Sequence, residues 1–190
     1  MNKIIAFLQK RSGIFLIVVY ALMAIYALCM ATPCANLLQY QDELDFYDAI
    51  QPYNDGILYF AIAGLLLALN YNVLRNHERQ IYYVSNFAYF GVTLAYLLAS
   101  GIYLIVAVSF YQGKYSALDF TKINAYFESM HFSIRMNPHT PVFAFGYVIA
   151  TLLFVLAVLL ALVLAKNIKE RLAYNQRKKD GTSAKIQEVK

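Results

Sequence analysis

This 190-residue chain has no tryptophan, only two cysteines and few charges, with 14% of its residues charged. Each scarcity excludes something. Soluble domains carry about a quarter charged residues, so the chain does not read as a water-bathed globule. Cys29 and Cys34 are too few to staple a disulfide-rich module. Glycine-rich phosphate loops, serine nucleophile elbows and zinc-protease motifs are missing. Without tryptophan, aromatic belts at a membrane surface fall to Tyr71, Tyr82, Tyr83, Tyr111 and Tyr115.

What is present is apolar, 61% of the chain, and it is gathered into blocks. Ser12–Ala31, Gly56–Leu74, Gln80–Phe110 and Pro141–Ala165 contain no Asp, Glu, Lys, Arg or His. About 20 apolar residues are needed to cross a hydrocarbon core about 30 Å thick, so each block predicts one spanning helix. The fold class expected is an all-α integral membrane protein, a four-helix bundle in one membrane domain over residues 1–175. Residues 176–190 then form a basic, disordered cytoplasmic tail.

Lysine and arginine set the orientation. Thirteen of the sixteen lie in the N-terminal segment, the link between the second and third spans, and the C-terminal tail; only Lys114, Lys122 and Arg135 lie on the other side. The positive-inside rule places both termini in the cytoplasm and both long loops outside. The net charge of +5 hence reports topology, and no nucleic-acid partner is expected. The first apolar run is longer than a secretory signal core, so it reads as an uncleaved anchor despite the small residues at Cys29-Met30-Ala31.

Each outer loop carries a helical signal. After Thr32-Pro33, residues Leu37, Tyr40, Leu44 and Tyr47 recur at steps of three and four, with Asp42, Asp45 and Asp48 on another face. This predicts a short amphipathic helix ending before Pro52. In the second loop, Ser116 and Asp119 fit a capping pair, and Phe120, Ile123, Phe127 and Met130 form an apolar stripe. Thr140-Pro141 has the N-cap and first-turn proline of a helix start, the fourth span. That helix should run on to about Asn175. Beyond it, Arg177, Lys178 and Lys179 suit contact with anionic lipid head groups.

The most informative pattern lies in the third block. Steps of four and three from Tyr82 give Tyr82, Asn86, Tyr89, Thr93, Tyr96, Ser100 and Tyr103, each bearing a hydroxyl or amide. Such steps follow one side of a helix, and at 1.5 Å per residue the track covers roughly 31 Å. Polar groups are costly against acyl chains. The face must therefore meet other helices of the chain, a partner's transmembrane helix or a second copy, or a cavity for a lipid, quinone or other hydrophobic small molecule. Asn70, Asn72, Tyr20, Tyr26, Tyr147 and Thr151 are the candidate partners in the chain. Small residues four apart, at Gly91/Ala95/Ala99, Gly64/Ala68, Gly146/Ala150 and Ala157/Ala161, suit close helix approach.

Other chemistry is sparse. Cys29 and Cys34 form a C-x4-C pair at the outer end of the first span, a candidate redox pair that departs from the usual C-x-x-C spacing. Glu128 and His131, with His139 nearby, are the weak candidates for an outer metal site, because an E-x-x-H step puts both side chains on one helix face. No cofactor is expected. The function expected is that of a non-enzymatic accessory or interaction subunit in the cytoplasmic membrane, engaging its partner through the tyrosine-rich face. A binder or carrier of a hydrophobic small molecule is the alternative, and a thiol-redox enzyme the third class.

Overall fold

The structure, a computed structural model, describes residues 2–31, 41–75, 84–131, 133, 135–137 and 139–188; side chains are described over 11–31, 45–71, 87–131, 133, 135–137 and 139–177. Among the described residues there are five helices and no strand. They are α1 (Asn2–Ala31), α2 (Gln41–Arg75), α3 (Val84–Ser116), α4 (Phe120–Ser129) and α5 (Val142–Glu188). Four of them, α1, α2, α3 and α5, are long and apolar enough to cross a membrane.

These four helices are apolar on nearly every side, the pattern of helices surrounded by lipid as well as by each other. Leu16, Met23, Ile57, Ala61, Leu97, Leu104, Ile149 and Leu153 face inward and are buried, while Val18, Ile25, Leu66, Val92, Ile102, Val148, Val158 and Leu162 point out. Contacts close a ring: α1 lies against α2 and α5, and α3 lies against the same two.

Three boundaries differ from the sequence reading. The helix expected to stop before Pro52 does not stop, and α2 carries that proline in its interior. Proline cannot donate to the carbonyl four residues back, at Asp48. The loss is one bond, and packing on both sides outweighs it: Phe46 and Ile50 precede the proline and Ile57 follows it, all buried in the core. At the far end, α5 continues past Asn175 and through Asp180-Gly181 to Glu188. One glycine in a helix costs only about 1 kcal/mol, and no proline follows Pro141. The loop after α3 differs in its cap. Ser116 belongs to the last turn of α3, where its hydroxyl donates to the Gly113 carbonyl (2.9 Å), and Asp119 caps α4 by itself.

The cap is electrostatic as well as geometric. The Asp119 carboxylate accepts from the Lys122 backbone N–H at 3.2 Å, with the Lys122 ammonium 3.3 Å away. These bonds, the backbone one first, hold its carboxyl below the ordinary carboxylate range. Ile123 and Phe127 are buried on the inner face of α4, whereas Met130 lies beyond the helix and is 53% exposed, so the apolar stripe is one residue shorter than its spacing implied. The segment after α4 is fastened back onto it. Asn124 donates to the Met136 carbonyl (3.1 Å) and accepts from the Met136 N–H (2.9 Å), and Tyr115 donates to the Asn137 carbonyl (2.9 Å). At the start of α5, the Thr140 hydroxyl accepts from the Val142 N–H at 3.4 Å, as its N-cap reading requires.

Candidate functional site: the tyrosine seam

The polar track of α3 faces its neighbours within the chain. Tyr89 donates its hydroxyl proton to the Leu67 carbonyl (2.7 Å), Tyr96 to the Phe60 carbonyl (3.0 Å) and Tyr103 to the Tyr53 carbonyl (3.2 Å). Donors rise by seven along α3 while acceptors fall by seven along α2. This is the register of two antiparallel helices with a shared two-turn repeat. Each acceptor carbonyl already serves its own helix, but an oxygen has two lone pairs, so the tyrosine takes the second without breaking the helical bond.

The short hydroxyls behave differently. Thr93 donates to the Tyr89 carbonyl (2.9 Å) and Ser100 to the Tyr96 carbonyl (2.7 Å), each four residues back on the same helix. They are too short to cross to another helix and instead use their own backbone. Ser100 also meets Tyr20 from α1, hydroxyl to hydroxyl at 3.4 Å. Tyr82 lies outside the described residues. Asn86 is in α3, but its side chain lies outside the described residues, as does that of its candidate partner Asn72.

Aromatic rings fill the gap that the tyrosines bridge. Tyr53 stacks on Phe110 with centroids 4.4 Å apart, Phe60 on Tyr103 at 4.9 Å, and Tyr71 meets Phe90 edge-on at 4.9 Å. Gly56 makes this possible: a Cβ there would fall 1.9 Å from the Tyr103 hydroxyl. Gly64 does the same for α1, since its Cβ would fall 2.2 Å from the Tyr20 ring. At the Tyr89 end of the seam, the hydroxyls of Ser12 of α1 and Tyr71 of α2 lie 3.0 Å apart.

Sequence spacing placed several other residues correctly and some not. Gly64/Ala68 and Gly146/Ala150 are buried, as close approach requires, and Ala157 is buried with Ala161 half-buried. The Gly91/Ala95/Ala99 step is the exception. Nothing lies within 4 Å of a Cβ at Gly91, and Ala95 and Ala99 are exposed, so this face points away from the other helices. The tyrosine side of α3 was already engaged with α2, and the small residues lie off that side. Tyr147 bonds Ser109 (3.0 Å) and donates to the Gln112 side chain (3.3 Å), outside the seam, while Thr151 donates back to the Tyr147 carbonyl at 2.8 Å.

The weaker sites are dispersed. Cys29 is exposed near the C-terminal end of α1, and Cys34 lies outside the described residues. Glu128 and His131 do not share a helix face, because α4 ends at Ser129 and His131 sits past it in the left-handed region (φ 58°). The Glu128 carboxylate is 2.6 Å from the Arg135 guanidinium, and His139 is exposed, its backbone N–H donating to the Asn137 side chain at 2.9 Å. Among the described residues no three His, Cys, Asp or Glu side chains gather as a metal site. A shallow cleft of about 10 Å³ lies between α1 and α5 beside Ser12, Leu16, Leu156, Leu160 and Val163. Ligand pockets begin at about 300 Å³ of well-enclosed space.

The acceptor half of the seam was not readable in advance. Carbonyls carry no side-chain signature, and only Gly56, a space left for a ring, hinted at where they would be. The chain matches no protein-family model, no curated protein and no solved structure.

Proposed function

We propose that this chain is a non-enzymatic accessory or interaction subunit of a membrane complex, lying in the cytoplasmic membrane with both termini inside. The observation that carries this reading is α5. Its 47 residues form one helix, about 70 Å at 1.5 Å per residue, more than twice a hydrocarbon core of about 30 Å. A rod of roughly 20 residues therefore stands clear of the membrane, continuous with a span.

That rod is basic and anchored at its root. Arg171 sits over the Phe87 ring at 5.1 Å, where α3 begins, and Lys166 pairs with Glu170 at 3.6 Å. Lys169, between them, and Arg177, further along, are exposed; the side chains of Lys178 and Lys179 lie outside the described residues. In this reading Arg177, Lys178 and Lys179 engage anionic lipid head groups or an acidic partner surface, each charge near such a surface contributing about 1 kcal/mol. The hydroxyls of Tyr89, Tyr96 and Tyr103 are taken up by α2 and those of Thr93 and Ser100 by the backbone of α3 itself, so partner contact moves from that face to the two ends of the molecule. The outer end is the layer of α4 and the segment fastened to it.

Extraction of native membranes in mild detergent, followed by separation by size, tests the proposal. A complex larger than the chain alone, lost when residues 176–190 are removed although the remainder still melts cooperatively, is the expected result. A chain that migrates alone under the gentlest extraction contradicts it.

A further inference from the structure

One level of the core breaks the rule that the seam obeys. The hydroxyls of Tyr26 (α1) and Tyr111 (α3) and the side-chain oxygen of Asn54 (α2) are buried and find no hydrogen-bond partner among the described residues. Their residues are only 1%, 0% and 4% exposed. Buried polar groups without partners are rare, and each asks for an explanation. In a membrane the question is sharper, since no bulk water stands beside the helices.

The three atoms come from three helices, α1, α2 and α3. Asn54 donates its amide to the Ala27 carbonyl (2.8 Å), one residue beyond Tyr26. That bond fixes the amide orientation, leaving the oxygen as the free end. Tyr111 has Tyr26, Tyr103 and Asp55 as its electrostatic neighbours, and Asp55 directly follows Asn54 on an exposed position. From the fourth side, Gly146 of α5 lies under the Tyr26 ring, its Cβ position 2.9 Å from the Tyr26 hydroxyl. The surroundings therefore present two groups that both donate and accept, and one that only accepts.

We infer that Tyr26, Asn54 and Tyr111 form a buried water site near the outer end of the core, linking α1, α2 and α3. A water fits this set by count: it accepts from one tyrosine, donates to the other and donates to the Asn54 oxygen. Three bonds is the usual number for an internal water. The cluster bears no formal charge, which suits a neutral guest rather than a metal ion. Exposed Asp55 marks the direction of supply, from the outer surface.

The test uses the full chain in lipid nanodiscs, with hydroxyl-radical labelling by X-ray pulses, which marks rings that touch ordered water. Tyr20 is the control: it is equally buried, at 1% exposed, but its hydroxyl is partnered by Ser100. Labelling of Tyr26 and Tyr111 well above Tyr20 is expected. Labelling no greater than that of Tyr20 overturns the site. Tyr26→Phe and Tyr111→Phe add a second reading, because they keep ring volume and remove one hydroxyl. If water is bound, each lowers the melting temperature by about 2–4 °C. An unchanged or raised melting temperature in both variants means that the hydroxyls were unpaired, and overturns the site as well.

Discussion

The two neighbours of α3 are held by opposite means. Toward α2, three tyrosines reach across a layer of rings to backbone carbonyls. Toward α5, the helices come closer and small residues do the work. A Cβ at Gly101 would lie 3.0 Å from the Phe154 ring, and one at Gly146 would lie 2.6 Å from the Val108 side chain. A tyrosine is long enough to bond over a gap but cannot let two backbones approach. Glycine does the reverse. The difference teaches that the polar seam gives direction and register, while close packing gives stability: interhelical hydrogen bonds in membranes average only about 0.6 kcal/mol, and van der Waals contact between closely approached helices drives their association.

That contrast orders the expected effects of substitution. Tyr20 joins both worlds, its ring seated on Gly64 and its hydroxyl at Ser100, so Tyr20→Ala should cost about 3–5 kcal/mol in denaturant titration of the reconstituted chain. A cost below about 1 kcal/mol would mean that the core does not depend on it. Gly146→Val, on the close-packed side, should cost about 1–3 kcal/mol by overpacking against Val108 and Tyr26. The same substitution at Gly91, where a Cβ has open space, should cost less than 1 kcal/mol even though a β-branched residue replaces glycine. If Gly91→Val proved the more damaging of the two, the assignment of faces on α3 would be reversed.

On the polar side the effects are smaller and additive. Tyr89→Phe, Tyr96→Phe and Tyr103→Phe should each cost about 0.6 kcal/mol, and the triple variant about 2 kcal/mol, read as a shift in thermal melting. The smallest effect belongs to the cap of α4. The folded carboxyl of Asp119 titrates below its ordinary range, so the cap is complete at pH values above the ordinary carboxylate pKa of about 4. It is lost as pH falls through the lower folded value. Amide exchange at Lys122 should rise in acid and in Asp119→Asn at neutral pH, with the rest of the chain unchanged.

Much of this architecture was legible in the residue order, for physical reasons that can be named. Charge-free runs mark spans because ionised groups are excluded from hydrocarbon, and the alternating four-and-three spacing from Tyr82 marked a helix face. Pro52 misled because a local rule about one missing donor was applied where Phe46, Ile50 and Ile57 bury the helix on both sides. Gly91 misled because a small residue is compatible with close approach without causing it. The orphaned oxygens of Tyr26, Asn54 and Tyr111 had no sequence signature at all: which buried groups are left without partners is set by how the helices are staggered, which spacing within one helix does not encode.

The central claim is that the hydroxyls of Tyr89, Tyr96 and Tyr103 on α3 are given to the carbonyls of α2, and the most direct measurement watches one such carbonyl. With carbon-13 placed at the Phe60 carbonyl, the infrared band of that single group should lie below the ordinary helical position in the native chain, because it accepts two hydrogen bonds. In Tyr96→Phe it should return to the ordinary position, while a label at Leu67 stays low. A Phe60 band that is the same with and without the Tyr96 hydroxyl would contradict the account.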